Sequence, residues 1–338
     1  MEHRSNNGVK ITIADVAREA GVSSQTVSRV INNKGEIRPE TRSTVIAVIE
    51  RLGYRPSSIA RSLATNRTFT IGLLVPDIAN PFWPEIARGV EDAAWDRGYH
   101  VFLCNTTEAP QREQAVLQLL EDKRVDGVIV AGSRLPDAQL LPLLGRHPAA
   151  VVINRSSSPE GIGVVRIDSC HGARLAIEHL LASGRRQIGF LSGPPASHNS
   201  RSHMSGYQAA LEAARLPVEQ RYILPCQPYL ADGHQAALAL LQANPNLDAL
   251  YCYNDLIALG AMQACAELGR RVPDDIAIVG NDDILLASMV TPSLTSLRVS
   301  KYDVGATAAS MLFAHINGNH DQSELIIKPE LVVRASAP

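Results

Sequence analysis

The sequence has few cysteines and no long apolar segment. Its five cysteines are odd in number, scattered, and include no C-x-x-C pair, so we expect buried thiols in a reducing compartment rather than a disulfide framework or metal site. No apolar run approaches the ~18 residues that a membrane helix needs. The opening segment MEHRSNNGVK also lacks the apolar stretch of a signal peptide. We therefore expect a cytoplasmic protein that binds neither a metal nor a membrane.

Catalytic signatures are also missing. The sequence contains no G-x-x-x-x-G-K-[ST], no G-x-S-x-G and no H-E-x-x-H motif. Gly161 and Gly163 begin a dinucleotide-like pattern, but Arg166 occupies the place of its third glycine. Asp282 and Asp283 are adjacent, and adjacent carboxylates seldom face one substrate. We expect a protein that is not an enzyme, with no catalytic residue and no cofactor.

Net charge is small, but its distribution is uneven. The chain has a formal charge of −2, whereas residues 1–67 carry 11 basic and 6 acidic side chains, a net of +5. A basic module attached to an acidic remainder favours contact with a polyanion such as DNA. The alternative is a solvated basic face with no partner.

Helix signals are concentrated near the N-terminus. Thr12 is placed to cap a first helix over IADVAREA, Gly21 ends that helix, and Ser23 is placed to cap a second over SQTVSRVIN. Pro39 suits the first position of a third helix. Two short helices joined at a glycine predict a helix-turn-helix module.

The second of these helices carries the polar side chains suited to reading bases. Its exposed side is predicted to present Ser24, Gln25, Ser28 and Arg29. Glutamine can pair with an adenine edge and arginine with guanine O6 and N7. Hydroxyls and backbone N–H groups near Thr12 and Ser23 could hold phosphates. The alternative is a three-helix docking module whose polar face meets water.

From about residue 70 onward, short strands rich in Val and Ile alternate with helices. This pattern predicts right-handed βαβ units and parallel sheets covered on both faces, and the length predicts two lobes. The expected fold is therefore a small all-α head followed by an α/β core of two doubly wound parallel-sheet lobes. The apolar runs that we assign to strands are TIGLLV, HVFLC, GVIVA, AVVIN, QIGFL, ALYCY and IAIVG.

Polar and aromatic residues follow these strands. In a doubly wound sheet, ligands bind beyond the carboxyl ends of the strands, so we expect these residues to converge on one cleft. A carboxylate accepts from neighbouring hydroxyls, a guanidinium donates in a fixed fork, and an aromatic face covers the C–H side of a sugar ring. The pattern thus favours a sugar, with a purine or another small effector as the alternative. The candidate effector-binding residues are Asp77, Phe82, Trp83, Asn154, Arg201, Tyr229, Asn254 and Asp282.

Several of these residues have structural alternatives. Asn254 is also a good helix cap, and both roles can hold together. Asp282 could be a turn or capping residue, and Trp83 could belong to the core. Tyr229 is proposed as a pocket wall on its loop position alone.

Two long segments, ITIADVAREAGVSSQTVSRVIN and RPETRSTVIAVIERLGYRPSSIARSLAT, resemble the LacI/GalR family of bacterial repressors. The similarity continues through VDGVIVAG, GPP, YNDLIALGA, VPDDIAIVGNDD and TPSLTSLR. It implies a core like that of periplasmic binding proteins. The implied divisions are a DNA-binding domain at 1–56, a hinge helix and linker at 57–68, and an effector-binding core at 69–338. The core's two lobes would span about 69–166 plus 297–324, and 167–296 plus 325–338.

The resemblance also implies roles for individual residues. Many relatives have tyrosine in place of Ser24, so an operator preference cannot be transferred. Leu63 would wedge into the minor groove beside its dimer mate, although it could instead be an ordinary linker residue. Arg201, Asn254 and Asp282 match effector-contacting positions, whereas Asn154 replaces an aspartate common in the family. The implied DNA-binding set is Thr12, Ser23, Ser24, Gln25, Thr26, Ser28, Arg29, Asn32, Ser58, Ala60, Leu63 and Ala64.

The function that follows is a sequence-specific transcription regulator, acting as a repressor. It would bind a near-palindromic operator in double-stranded DNA as a homodimer, and a sugar-like effector between the lobes would control it. One alternative is the same regulator with a purine or another small-molecule corepressor. Another is a periplasmic-type sugar-binding protein, which would have no use for the N-terminal helices.

Overall fold

A computed structural model describes residues 11–31, 35–54, 65–155, 160–321 and 324–338. The chain divides into two compact units, Met1–Thr68 and Phe69–Pro338. None of the helices within the described ranges is long and apolar enough to cross a membrane. The five cysteines are free thiols, two of them buried and three half-buried.

The first unit contains three helices: α1 (Ile13–Ala20), α2 (Ser24–Ile31) and α3 (Pro39–Leu52). Thr12 caps α1 as predicted, because its hydroxyl accepts from the backbone N–H of Asp15 while the Asp15 carboxylate accepts from the Thr12 N–H. Gly21 ends α1 at φ 64°, a left-handed conformation that favours glycine. Small side chains from all three helices fill the core of this unit: Val16, Ala17, Val27, Val30, Val45 and Val48.

The second unit alternates strands and helices as predicted. Its strands are β1 (Thr70–Val75), β2 (His100–Asn105), β3 (Gly127–Ala131), β4 (Ala150–Ile153), β5 (Ile162–Ile167), β6 (Ile188–Ser192), β7 (Ile223–Pro225), β8 (Ala249–Cys252), β9 (Ala277–Asn281), β10 (Thr295–Arg298), β11 (Glu324–Ile327) and β12 (Glu330–Val332). Its α-helices are α4 (Phe82–Trp95), α5 (Pro110–Asp122), α6 (Asp137–Leu144), α7 (Ser169–Ala182), α8 (His198–Ala213), α9 (Leu230–Ala243), α10 (Asp255–Glu267), α11 (Leu285–Met289) and α12 (Lys301–Ile316). A short 3₁₀ helix spans Gln220–Tyr222.

The strands form two sheets, one in each lobe. The first sheet is parallel, in the order β11-β5-β4-β3-β1-β2. The second has the order β12-β10-β9-β8-β6-β7 and is parallel except for β12. Two doubly wound lobes were predicted, and the structure confirms this fold class.

The strand predicted over HVFLC differs in its surroundings. The other predicted strands are largely buried, but β2 is the edge strand of the first sheet and leaves Phe102 48% exposed. An edge strand has a neighbour on one side only, so an apolar run does not guarantee burial.

The chain crosses between the lobes after β5, between β10 and α12, and between β11 and β12. The predicted boundaries at 296/297 and 324/325 fall within β10 and β11, so these two crossings lie a few residues later in the chain. In the first lobe, α12 packs tightly on α4. A Cβ atom added at Gly89 would lie 2.1 Å from the carbonyl oxygen of Tyr302, so this approach requires glycine.

Candidate functional site

The predicted base-reading residues lie on or beside α2. Ser23 caps this helix, since its hydroxyl oxygen accepts from the Thr26 N–H at 3.1 Å. The apolar face of α2 buries Val27 and Val30, which leaves the polar face outward. Thr12, Ser23, Ser24, Gln25 and Arg29 are exposed, and Thr26 and Ser28 are half-buried. Asn32, Ser58, Ala60, Leu63 and Ala64 lie outside the described residues.

A cavity lies where the carboxyl ends of the two core sheets face each other, as expected for doubly wound folds. It encloses about 670 Å³, including the part that is open to solvent. Every lining residue lies at the end of a strand or within eight residues beyond it. The lining residues are Asn80, Phe82, Trp83, Glu108, Gly132, Ser133, Arg134, Asn154, Ile167, Ser169, Ser197, His198, Asn199, Pro228, Tyr253, Asn254, Asn281, Asp282, Leu297 and Val299.

Two aromatic rings form an apolar part of the wall. Phe82 and Trp83 begin α4 and stand edge to face, with their ring centroids 4.9 Å apart. Both are more than nine-tenths buried and belong to the core of the first lobe. Trp83 therefore belongs to the core, which was the alternative considered for it, and it also lines the cavity.

Asn254 likewise caps a helix and lines the cavity, as expected. Its side-chain oxygen accepts from the Ile257 N–H at 2.9 Å, which caps α10, and its amide nitrogen donates to the Pro228 carbonyl at 3.1 Å. These contacts use one lone pair and one N–H, so the amide retains one of each. The loops that follow β7 and β8 fix its orientation.

Asp282, which follows β9, is a buried carboxyl in the wall formed by the same lobe as Asn254. Its backbone has φ 119°, and its Oδ1 accepts from the Asn281 side-chain amide at 2.9 Å. Burial, followed by the nearby negative charge of Asp255, raises its pKa well above the usual range. Asp283 faces a different partner, an ion pair with Arg334 at 2.6 Å.

The other lobe contributes a buried guanidinium. Arg134 follows β3, and its Nε donates to Glu108 at 2.5 Å while Nη1 donates to the Gly132 carbonyl at 2.8 Å. The Glu113 carboxylate accepts from the Arg134 backbone N–H and the Ser133 hydroxyl. The charge of Arg134 is thus balanced within its own lobe.

These features suit a small, largely uncharged ligand with several hydroxyl groups. Amides, hydroxyls and a carboxyl line the cavity from both lobes, and the aromatic pair offers an apolar surface. Among the described residues, no cluster of three or more His, Cys, Asp or Glu side chains could hold a metal ion.

Comparisons with known proteins agree with this architecture. A family model for the bacterial regulatory proteins of the lacI family matches residues 12–57. A second model, for periplasmic binding proteins and the sugar binding domain of the LacI family, matches residues 68–335. The chain belongs to the LacI family. The predicted resemblance is confirmed. As a member of this family, the chain is a DNA-binding transcription regulator.

Three similar proteins illustrate the range of this family. The Ribose operon repressor of Halalkalibacterium halodurans is 39% identical over 96% of both chains. The HTH-type transcriptional repressor PurR of Haemophilus influenzae is 35% identical over 96% of this chain and 98% of its own. The structure of a Lac repressor dimer bound to operator and the anti-inducer ONPF has a TM-score of 0.89 at 28% identity, covering 97% of this chain and 99% of that one.

Five of the eight residues predicted to bind effector in this LacI-family chain line the cavity: Phe82, Trp83, Asn154, Asn254 and Asp282. Asn154 adopts a left-handed backbone at φ 63°, which asparagine tolerates. Its side-chain oxygen accepts from the Ile167 N–H at 3.0 Å.

Asp77, Tyr229 and Arg201 do not line the cavity. The Tyr229 hydroxyl donates to Asp77 Oδ2 at 2.8 Å, so these two residues join the lobes beside the cavity instead. Arg201 is exposed, and its Nη1 donates to the Pro195 carbonyl at 2.9 Å. It lines a neighbouring depression.

The sequence prediction missed several lining residues, among them Glu108, Arg134, His198 and Asn199. All four follow strands, and this position was the available signal. Behind them lies a buried network in which Asn199 bonds to Ser169 and to His203. Burial lowers the pKa of His203 to about 3, so this ring is neutral and acts as a hydrogen-bonding support for Asn199.

Proposed function

We propose that this regulator is a repressor that binds operator DNA as a homodimer and responds to a sugar in the cavity between its lobes. The observation that carries the proposal is the cavity lining. Asp282 and Asn254 stand in one lobe, and the aromatic pair stands in the other, which together suit a polyhydroxylated ring. Ribose is the first candidate because the Ribose operon repressor is among the similar proteins.

Exposed apolar side chains support the proposed dimer. In the first lobe Trp95 is 74% exposed and Phe102 is 48% exposed, and in the second lobe Leu285 and Met289 on α11 are exposed to nearly the same extent as Trp95. Apolar surface of this kind on both lobes is typical of a subunit interface. We further propose that the protein acts in the cytoplasm and returns its effector chemically unchanged.

The purine alternative remains a second candidate. The Phe82 ring could stack on a base, and PurR is a similar protein at nearly the same identity as the Ribose operon repressor. A purine effector would keep the regulator and change only the class of its ligand.

The test is a thermal-shift screen of the full chain against pentoses, hexoses, sugar acids and purines. A ligand at about 100 times its Kd should stabilise the protein by roughly 2.7 kcal/mol, which raises the melting temperature by a few degrees. Asp282→Ala should abolish the shift and the operator response while retaining operator binding. Asp274→Ala, at an exposed position in the same lobe, is the matched control.

Each outcome is decisive for one part of the proposal. A shift with purines alone would replace the sugar. An unchanged ligand affinity in Asp282→Ala would show that the effector binds elsewhere. Chromatography of the ligand after incubation would reveal any turnover, which would contradict a purely regulatory role.

A further inference from the structure

Asp282 stands on a strained turn between β9 and α11. Its backbone has φ 119° and that of Asp283 has φ 47°, both in the left-handed region that residues other than glycine rarely adopt. Such conformations are unfavourable and persist only where neighbouring groups hold them. The contacts made by this turn therefore determine where the Asp282 carboxyl lies in the cavity wall.

Part of the turn is held from within the second lobe. The Asp282 N–H donates to the Leu297 carbonyl at 2.9 Å, and the Asp283 N–H donates to the Ser296 hydroxyl at 3.1 Å. Both contacts use N–H groups of the turn. The carbonyl oxygens of the same two residues need partners from another element, because buried backbone groups are nearly always paired.

Those two carbonyl oxygens accept hydrogen bonds from one side chain of the first lobe. Lys301 Nζ donates to the Asp282 carbonyl at 2.8 Å and to the Asp283 carbonyl at 3.0 Å. Lys301 is the first residue of α12, and Val304 and Leu312 of this helix are buried in the core of the first lobe. The Lys301 side chain is 5% exposed. A first-lobe helix thus holds the backbone that carries Asp282.

The ammonium group of Lys301 also faces the first lobe. Its Nζ lies 3.8 Å from Glu85 Oε2. Glu85 belongs to the first turn of α4, the helix that begins with the aromatic pair Phe82 and Trp83. Lys301 therefore lies between the two walls of the cavity, with the turn of Asp282 on one side and the helix of the aromatic pair on the other.

The positive charge of Lys301 acts on two buried carboxyls as well. Burial raises the pKa of Asp255 to about 7 and raises that of Asp282 well above its usual range, and the charge of Lys301 opposes both shifts. A buried carboxylate without a nearby cation is unfavourable. Removing the ammonium would therefore disturb both the backbone and the charge of the carboxyl in the cavity wall.

We propose that Lys301 is a positioning residue, which holds the Asp282 turn of the second lobe in its effector-binding conformation from the first lobe. The inference rests on the proposed function, because it requires a ligand that binds Asp282 between the lobes. Lys301 is not among the lining residues of the cavity, so it acts through Asp282 rather than by contact with the ligand. Since its ammonium contacts both lobes, effector binding is coupled to the orientation of one lobe against the other.

The first experiment is calorimetric titration of ribose, glucose and adenine into the full chain and into two variants at position 301. Lys301→Met keeps a long apolar side chain and removes the charge and the donors. It should weaken the probe that binds the wild type by about tenfold, as expected when hydrogen bonds from a charged group are lost. Lys301→Arg restores a cation with several N–H donors and should recover most of the affinity. A side chain needed only for packing would tolerate methionine and would show no such rescue.

Arg185→Met is the matched control. Arg185 also donates to two backbone carbonyls, those of Asp248 at 3.2 Å and Pro273 at 2.6 Å. Both acceptors precede strands of the second lobe, β8 and β9, whereas the cavity lies at the carboxyl ends. This variant should lose stability and keep its ligand affinity. An equal loss of affinity in Arg185→Met and Lys301→Met would assign the effect to general destabilisation and overturn the inference.

Hydrogen exchange followed by mass spectrometry tests the hold on the turn without a ligand. In Lys301→Met, the amides of residues 282–284 should exchange faster than in the wild type, while those of β6 should keep their rates. If Asp282→Ala abolishes binding and Lys301→Met binds as the wild type does, the inference is wrong and the proposed function stands. If no probe depends on Asp282, the proposed function fails, and exchange alone decides the hold: faster exchange at 282–284 supports it and unchanged exchange overturns it.

Discussion

The hydrogen bond between Tyr229 and Asp77 leads to a quantitative prediction about lobe closure. Asp77 follows β1 and Tyr229 follows β7, both toward the side of their sheets opposite β11 and β12, where the chain crosses between lobes. If the lobes rotated about the crossings, these two residues would move apart sooner than pairs of residues that lie close to the crossings. We therefore predict that the bond acts as a latch that holds the two lobes in the closed form.

The magnitude follows from the chemistry of the contact. Burial and the bond to Asp77 raise the pKa of Tyr229 above its ordinary value, so the hydroxyl remains a donor. A hydrogen bond to a charged acceptor contributes about 1.5–3 kcal/mol, and the lower end applies here because both side chains are half-buried. If the effector binds only the closed form, Tyr229→Phe should weaken its binding by up to about tenfold.

The assay is calorimetric titration of the effector into wild type, Tyr229→Phe, Asp77→Ala and the double variant. If the two residues act through their mutual bond, the double variant should be about as weak as either single variant, with a coupling energy near 1.5 kcal/mol. Tyr222→Phe is the matched control, since that hydroxyl donates to Gln187 within the second lobe at 2.6 Å. Additive losses from Tyr229→Phe and Asp77→Ala would refute the latch and favour separate ligand contacts.

Two further predictions concern the head and the core. Gln25→Ala should lower specific operator affinity by roughly 1–3 kcal/mol and leave non-specific binding unchanged; gel-shift titrations with operator and scrambled DNA measure both, and an equal loss on both DNAs would contradict base reading. Burial raises the pKa of Asp255 to about 7, so the folded state binds a proton that the unfolded state releases near pH 4. Its contribution to stability should therefore be greatest at low pH, decline as pH rises from about 4 to about 7, and remain level above that. Urea unfolding should show a flatter pH profile in Asp255→Asn, and an unchanged profile would assign the dependence to other groups.

Local signals in the sequence were sufficient for seven of the twelve described strands and for the general position of the cavity. The capping box at Thr12 and the strand over TIGLLV depend on residues close together in the chain, so their patterns are visible without a structure. The cavity could be located because ligand sites in doubly wound sheets follow the strand ends. Asn254 was found in this way, with both its cap and its lining position.

Buried charges were harder to predict, because their burial depends on partners that the fold brings from elsewhere. Arg134 and Arg155 look like ordinary surface residues in the sequence. Glu108 lies 26 residues from Arg134, and Asp137 lies 18 residues from Arg155. Without these carboxylates, burial of either guanidinium would be strongly unfavourable. A buried arginine can therefore be identified only when its carboxylate partner is known, and the sequence alone does not show that partner.

The latch shows the same limit at longer range. Tyr229 and Asp77 are separated by 152 residues and belong to different sheets, so their contact depends on strand order in both lobes and on the closure of one lobe against the other. Asp77 was predicted near the ligand because it follows a predicted strand, and Tyr229 because of its position in a loop. A strand end specifies the edge of the sheet but not the position along that edge, and that position decides whether a side chain faces the effector or the other lobe. For these two residues the position favours contact with the other lobe, and this is why we predict that they control closure.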